Sequence, residues 1–374
     1  MKLFDVYPLF DITPVRAEDV FVYDEHGTAY LDLYGGHAVI SIGHAHPTYV
    51  KNLTKQLNQI GFYSNAVKNP LQTKLAKELA EFSNCNHYEL FMCSSGAEAN
   101  ENALKLASFH TNKTSIIAFE NSFHGRTSAA VASTHNSKII APLNAQQKVD
   151  FLPLGDLGAL EKILQKGTTC SVIIECIQGV GGLDQSTTQF YQGLEKLCRQ
   201  YGAVLIADEV QSGFGRTGDF FAFQKHGISP HIISMAKGMG NGFPVGGILI
   251  DPEIKSSYGL LGTTFGGNHL ACAASLSVLE VLKNQQLMQN ALKMELYFRQ
   301  KAKEITQITQ LKGRGLMLGL EFPFPVQELR KTLLFKHKIF TGSSKNPNLI
   351  RILPPLVIKE AHINTFFNAL KQEL

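Results

Sequence analysis

An aspartate and a lysine each follow a short, mostly apolar run of residues. Asp208 comes directly after Ala203–Ala207, and Lys237 comes directly after Ile232–Ala236. Such runs are typical of strands at the centre of a sheet. Because ligands of open α/β sheets bind at the carboxyl ends of the strands, the two side chains can meet over one ligand. A lysine amine forms a Schiff base with an aldehyde, and a carboxylate keeps a pyridine nitrogen protonated, so the pair predicts a site for pyridoxal 5'-phosphate.

Either residue alone would more often be an ordinary strand-end acid or a surface lysine, so the surrounding residues decide the interpretation. DEVQSGFGRTG (208–218) and SMAKGMGNGFPVGG (234–247) closely resemble the fold-type I, class III (omega) aminotransferases. Within that class the similarity is greatest to the acetylornithine (N-acylornithine) aminotransferases of arginine biosynthesis. The resemblance covers nearly the whole chain, from about Phe4 to the last helix.

The resemblance implies a role for each residue around the cofactor ring. Lys237 would carry the cofactor covalently and move the proton between substrate and cofactor, while Asp208 would pair with the ring nitrogen. Phe123 and Val210 would enclose the two faces of the ring. Gln211 is the candidate contact to the phenolic oxygen.

A serine- and glycine-rich turn predicts an anion site. Ser94, Ser95 and Gly96 follow the apolar strand Leu90–Cys93 and lead into a helix from about Ala97. The first amides and the positive dipole end of such a helix favour a phosphate, although the turn by itself is more typical of an ordinary capped helix. The resemblance assigns the cofactor phosphate to Gly96 and Ala97.

Four further residues are expected at the substrate. Arg126 follows a predicted strand, and Glu175 ends the predicted strand Ser171–Glu175. Arg351 lies inside an apolar strand, where it is either an edge residue with a buried stem or a carboxylate receptor. The resemblance makes both arginines substrate ligands and places Thr263 near the substrate. The resemblance also implies a homodimer in which Thr264 reaches across the subunit interface to the phosphate bound in the other subunit's site.

Strands alternate with helices along the chain, which predicts an α/β fold with a mostly parallel, doubly wound sheet. We expect a large cofactor-binding domain at 46–277. Residues 1–45 and 278–374 are expected to form a smaller α+β domain, and residues 20–33 within it an antiparallel hairpin.

Composition excludes several other classes of protein. The chain has 374 residues, of which 44% are hydrophobic, and no run approaches the roughly 18 apolar residues of a membrane span. The net charge of +4 comes from mixed signs, so no nucleic-acid partner is indicated. The N-terminus lacks a signal-peptide pattern and the six cysteines are scattered, so we expect reduced thiols in a cytoplasmic protein. His44 and His46 lack a third ligand at metal spacing, so no metal site is expected.

The segment Gly213–Gly218 matches G-x-G-x-x-G but does not indicate a dinucleotide site. The glycines do not follow directly on the strand, and Ile232 and Ile233 stand where a ribose-binding acid belongs.

The expected reaction moves the δ-amine of N-acetylornithine or N-succinylornithine to 2-oxoglutarate, giving glutamate. The main alternative is another omega-aminotransferase, acting on free ornithine, 4-aminobutyrate or a diamine. A catalytically silent cofactor-binding protein would be expected to lack Lys237 or Asp208, and both are present.

Two residues depart from the family pattern. Val180 stands where related ornithine enzymes have a glutamate that neutralises the arginine matching Arg351, and His37 stands where they have a tyrosine that recognises a free α-amino group. Free ornithine is therefore disfavoured. An unpaired arginine favours a donor with an additional carboxylate, unless Val180 marks only a repacked loop.

Overall fold

The computed structural model describes all 374 residues, and it begins with three antiparallel strands. These are β1 (Pro14–Glu18), β2 (Phe21–Asp24) and β3 (Ala29–Asp32). The predicted hairpin is β2 paired with β3. After β3, α1 (Gly35–Ala38) is a single turn whose four residues all have φ between 54° and 67°. This left-handed backbone is costly for His37 and Ala38, which carry a Cβ, so neighbouring segments must hold the turn in place.

Seven strands form the central sheet and seven helices surround it. The strands are β4 (Glu89–Cys93), β5 (Ser115–Phe119), β6 (Val149–Leu152), β7 (Thr169–Ile174), β8 (Val204–Asp208), β9 (Ile232–Met235) and β10 (Gly246–Ile250). The helices are α2 (Pro47–Gln59), α3 (Pro70–Ser83), α4 (Gly96–Thr111), α5 (Ser128–Ala132), α6 (Leu157–Leu164), α7 (Thr188–Tyr201) and α8 (His269–Asn284).

The central sheet is mostly parallel, which confirms the predicted fold class. Its strand order is β4-β10-β9-β8-β7-β5-β6, and only β10 runs antiparallel to its neighbours. Both faces are covered: Leu205 of β8 belongs to one buried cluster together with residues of α7 and α8, whereas Val204 and Ile206 belong to another together with residues of α4. Burial on both faces explains why β8 reads as a continuous apolar run.

The C-terminal part forms a smaller α+β unit. It contains α9 (Leu287–Ala302), β11 (Gln310–Arg314), β12 (Met317–Glu321), α10 (Gln327–Phe335), β13 (Ile339–Phe340), β14 (Leu349–Ile352) and α11 (Glu360–Glu373). Strands β11, β12 and β14 make one antiparallel sheet, and β13 joins the N-terminal sheet beside β3. The two ends of the chain therefore share a sheet, although the domain bounds at 46 and 277 stay a prediction.

Candidate active site

A cavity of about 410 Å³ opens at the carboxyl ends of the central strands. Ten residues predicted from the sequence line it, namely Ser95, Gly96, Ala97, Phe123, Arg126, Glu175, Asp208, Val210, Gln211 and Lys237. The structure thus brings together side chains from five separate stretches of sequence. Arg126 is exposed, whereas Asp208 is only 4% exposed.

Asp208, the last residue of β8, is held rigidly by three donors. Its Oδ2 accepts hydrogen bonds from Asn100 Nδ2 at 2.8 Å and from His124 Nδ1 at 2.6 Å, and its Oδ1 accepts one from the Val210 amide at 3.0 Å. Buried charges persist where hydrogen bonds satisfy them. This network fixes the carboxylate at the wall of the cavity, although sequence reasoning identified neither Asn100 nor His124.

Lys237 lies directly beyond β9, in a short 3₁₀ turn, with φ of 47°. Its side chain lines the cavity and its amine makes no hydrogen bond or ion pair with the protein. Burial lowers the pKa of the Lys237 amine from 10.5 to about 8; the nearby positive charges of Arg351 and Arg216 act in the same direction, and Asp208 opposes them. A substantial fraction of this amine is therefore neutral near physiological pH, which is the state in which it is a nucleophile and a base.

The first turn of α4 faces the same cavity. Gly96 and Ala97 are its first two residues, so their amides have no acceptor one turn earlier within the helix. A Cβ on Gly96 would lie 2.5 Å from Val210 Cγ1, so only glycine lets these two segments approach so closely. Ser95 is the N-cap, and its Oγ accepts a hydrogen bond from the Glu98 amide at 3.1 Å.

Glu175 and Arg351 both bond to the main chain of Gly179, which lies against Gln211. The Glu175 carboxylate accepts hydrogen bonds from the amides of Phe123 and Gly179, both at 2.9 Å, and burial raises its pKa to about 7. Arg351, 3% exposed on β14, donates to the Gly179 carbonyl at 2.8 Å and approaches Gln211 Oε1 at 3.5 Å.

Arg351 makes no ion pair; its guanidinium donates to the carbonyls of Ser343 and Gly179 and to Gln211 Oε1. Gln211, rather than Arg351 itself, forms the cavity wall. The Arg351 guanidinium therefore lies behind Gln211, which separates it from the cavity. Val180 does line the cavity.

Thr263 and Thr264 lie outside this cavity, on an exposed loop before α8. Asn65 ties the loop to the chain by donating to the carbonyls of Thr263 and Gly266. Neither threonine contributes to the cavity of its own chain, which leaves their predicted role in a second subunit's site untested.

The residues present fit pyridoxal phosphate. Two buried polar atoms beside Asp208, Asn100 Oδ1 and His124 Nε2, lack a protein partner. An unpaired lysine amine, an anchored carboxylate and the start of a helix face one cavity of suitable size. His37 and Tyr34 lie against each other near this region, and desolvation, together with Arg351 and Lys237, lowers the pKa of His37 to about 4. No group of three or more potential metal ligands converges anywhere in the protein.

Comparison with known proteins agrees with this geometry. The family model for aminotransferase class III matches residues 5–374. The acetylornithine aminotransferase of Bacillus subtilis is 37% identical over 100% of this chain and 97% of its own length. That of Archaeoglobus fulgidus is 38% identical over 93% of this chain and 92% of its own length.

Solved structures show the same fold. The ornithine aminotransferase of Toxoplasma gondii superposes with a TM-score of 0.90 at 25% identity, covering 98% of this chain and 90% of that one. A second structure of that enzyme has partial occupancy of pyridoxal phosphate in its active site. None of the helices here has the length and hydropathy needed to span a membrane. With a family model that matches nearly every residue and relatives that align along their full length, the chain belongs to the class-III aminotransferases.

Proposed function

We propose that this protein is a pyridoxal-phosphate-dependent N-acylornithine aminotransferase. It moves the δ-amine of N-acetylornithine or N-succinylornithine to 2-oxoglutarate and releases glutamate and an N-acylglutamate semialdehyde. The observation that carries the proposal is the meeting of Lys237 and the anchored Asp208 at one cavity. The full-length similarity to acetylornithine aminotransferases supports the choice of substrate.

The protein's own residues explain how such a reaction would be organised. When bound, the cofactor supplies an electron-accepting pyridinium ring. Asp208 would hold the proton on the ring nitrogen, and its bonds to Asn100 and His124 fix its carboxylate at the cavity wall. The amides of Gly96 and Ala97 receive the phosphate.

Lys237 Nζ would both bind the cofactor and move the substrate proton, because its lowered pKa keeps part of the amine neutral. Phe123 and Val210 line the cavity and would enclose the two faces of the ring. Gln211 is the candidate partner for the phenolic oxygen. Arg126 and Glu175 line the cavity, and Arg351 lies behind Gln211; both arginines would bind substrate carboxylates.

We also propose that the enzyme is a homodimer whose active sites lie at the subunit interface. The loop bearing Thr264 lies beside an exposed apolar surface formed by Phe62, Tyr63 and Phe265, which are 44%, 58% and 62% exposed. Apolar surface of this kind marks protein contacts. A second subunit would cover this surface and would receive Thr264 at its phosphate site.

We also propose that the enzyme is cytoplasmic.

The test is covalent attachment at Lys237. The purified holoenzyme should absorb visible light, lose that band on borohydride reduction, and carry the reduced pyridoxyl group on Lys237 by peptide mass spectrometry. Lys237→Ala is the control, and it should show no adduct. A stable adduct on another lysine would end the proposal.

Action on free ornithine is the second candidate, because similar solved structures include ornithine aminotransferases. A panel of kcat/KM values for N-acetylornithine, N-succinylornithine, ornithine, 4-aminobutyrate and a diamine separates the two. The main proposal fails if any unacylated donor gives the highest value.

A further inference from the structure

Arg216 is a fully buried cation to which the proposed mechanism gives no role. It lies eight residues beyond Asp208 in the loop that matches G-x-G-x-x-G, and it is only 2% exposed. It makes no ion pair. Burial lowers the pKa of its guanidinium, which is the expected consequence of desolvating a cation that has no carboxylate in contact.

Its hydrogen bonds go instead to three main-chain carbonyls from three segments. Arg216 Nη1 donates to Leu316 at 3.2 Å and also to Pro354, and Nη2 donates to Ile40 at 3.2 Å. The main-chain oxygen of Arg216 also accepts from the Leu316 amide at 2.8 Å. These contacts are separated from residue 216 by 100 or more positions in the chain.

Two of the three segments carry residues of the site, and the third is paired with the strand that bears Arg351. Ile40 follows the strained turn α1 and adjoins Val39, which lines the cavity. Pro354 follows β14, which bears Arg351. Leu316 precedes β12, in which Gly319 pairs with Arg351.

Two residues before Arg216, Phe214 packs against the residue that follows Lys237. An added Cβ on Gly238, the residue after Lys237, would lie 3.4 Å from Phe214 Cβ, an ordinary packing distance. The loop that carries Arg216 therefore contacts both the segment that carries Lys237 and the segments that carry Arg351 and Val39.

We infer that Arg216 is a positioning residue that sets the separation between Lys237 and the carboxylate-binding end of the cavity. The guanidinium fork reaches carbonyls in three directions at once, which no other side chain can reproduce. The inference rests on the proposed function, because it takes Arg351 as the receptor for a substrate carboxylate.

The experiment compares Arg216→Met and Arg216→Lys with a matched arginine. Arg314 also joins this loop to the C-terminal part of the chain, through the Thr217 carbonyl at 2.9 Å and an ion pair with Asp219. The Arg314 side chain contacts none of the three carbonyls to which Arg216 donates. Arg314→Met is therefore the control for the loss of a structural arginine.

The measurements are KM and kcat for 2-oxoglutarate, thermal unfolding, and the calorimetric Kd of the holoenzyme for glutarate, a dicarboxylate that cannot accept an amine. Arg216→Met should raise both KM and Kd by about 10- to 100-fold, since a misplacement of about 1 Å has effects of this size. Arg216→Lys, which keeps the charge but not the fork, should fall between it and wild type. Arg314→Met should lower Tm while leaving KM and Kd within about twofold, because it touches no binding group.

The variant Arg351→Ala distinguishes a failure of the positioning role of Arg216 from a failure of the proposed function. If Arg351→Ala leaves the Kd for glutarate unchanged, Arg351 is not the receptor and that part of the proposed function fails. If Arg351→Ala weakens glutarate binding but Arg216→Met changes only Tm, as Arg314→Met does, the positioning role alone is overturned. Failure of both Arg216 variants to fold would also overturn it, because the residue would then serve folding.

Discussion

Replacing Val180 with glutamate tests how an unpaired arginine selects the amino donor. Arg351 is buried, bonds to the carbonyls of Gly179 and Ser343, and has no carboxylate partner. A buried cation in this state is costly, and a carboxylate on the substrate relieves the cost. Our hypothesis is that wild type uses N-succinylornithine at least as well as N-acetylornithine.

The magnitude follows from the contact that the extra carboxylate would gain. A hydrogen bond to a charged group contributes roughly 1.5–3 kcal/mol, which corresponds to about a ten- to hundredfold preference. Val180→Glu would supply that carboxylate from the protein, because residue 180 lines the cavity and directly follows the Gly179 carbonyl that holds Arg351. The succinyl-to-acetyl ratio of kcat/KM should therefore fall by about tenfold or more.

Val180→Gln is the matched control, since it has the size of the glutamate without its charge, and it should leave the ratio close to that of wild type. The assay is steady-state kcat/KM for succinyl-, acetyl- and unacylated ornithine on all three proteins. The reasoning is refuted if wild type prefers N-acetylornithine by about tenfold or more, or if Val180→Glu leaves the ratio unchanged.

Three further predictions concern the cofactor site. Only a neutral amine attacks an aldehyde. The rate at which the apoenzyme attaches pyridoxal phosphate through Lys237 should therefore rise with pH up to about 8 and then level off. A stopped-flow rate that still rises near pH 10, about the pKa of an ordinary lysine, would contradict this. Mixing Lys237→Ala protein with Thr264→Ala protein should restore part of the activity, because each hybrid dimer contains one complete site; no recovery despite proven subunit exchange would place both residues in one chain's own site. His124→Ala removes a 2.6 Å bond to Asp208 and should weaken cofactor binding by about tenfold or more, whereas unchanged affinity in a fluorescence titration would show that Asn100 and the Val210 amide suffice.

The sequence predicted the elements that carry the chemistry because their signals are local. An apolar run that is buried on both faces marks β8 and β9 wherever they lie, and the polar residue at its end marks the ligand side of the sheet. The Ser-Ser-Gly turn likewise predicted a helix from about Ala97, and the helix begins at Gly96 with Ser95 as its N-cap. The hairpin of β2 and β3 was predicted on the same local basis.

Some features could be found only in part. His124 immediately follows Phe123, and Asn100 lies one helical turn after Gly96, so their proximity to the site was open to inference from helix and loop spacing. The hydrogen bonds of these two residues to Asp208 could not be inferred in this way, because His124 and Asn100 are 84 and 108 residues away from Asp208 in the chain. Strand β10 was missed for a related reason: its antiparallel insertion between β4 and β9 depends on which edge remains open once the other strands have paired.

The tertiary structure alone decided the positions of the buried arginines and of the turn α1. Nothing in the residues around Arg216 indicates that its partners are the carbonyls of Ile40, Leu316 and Pro354, since a carbonyl is present at every position and only packing selects three. The left-handed φ of His37 is equally invisible in sequence, because an isolated chain would avoid it and only surrounding contacts sustain it. The sequence therefore determined which chemical groups stand at the strand ends, and long-range packing determined how far apart they are held.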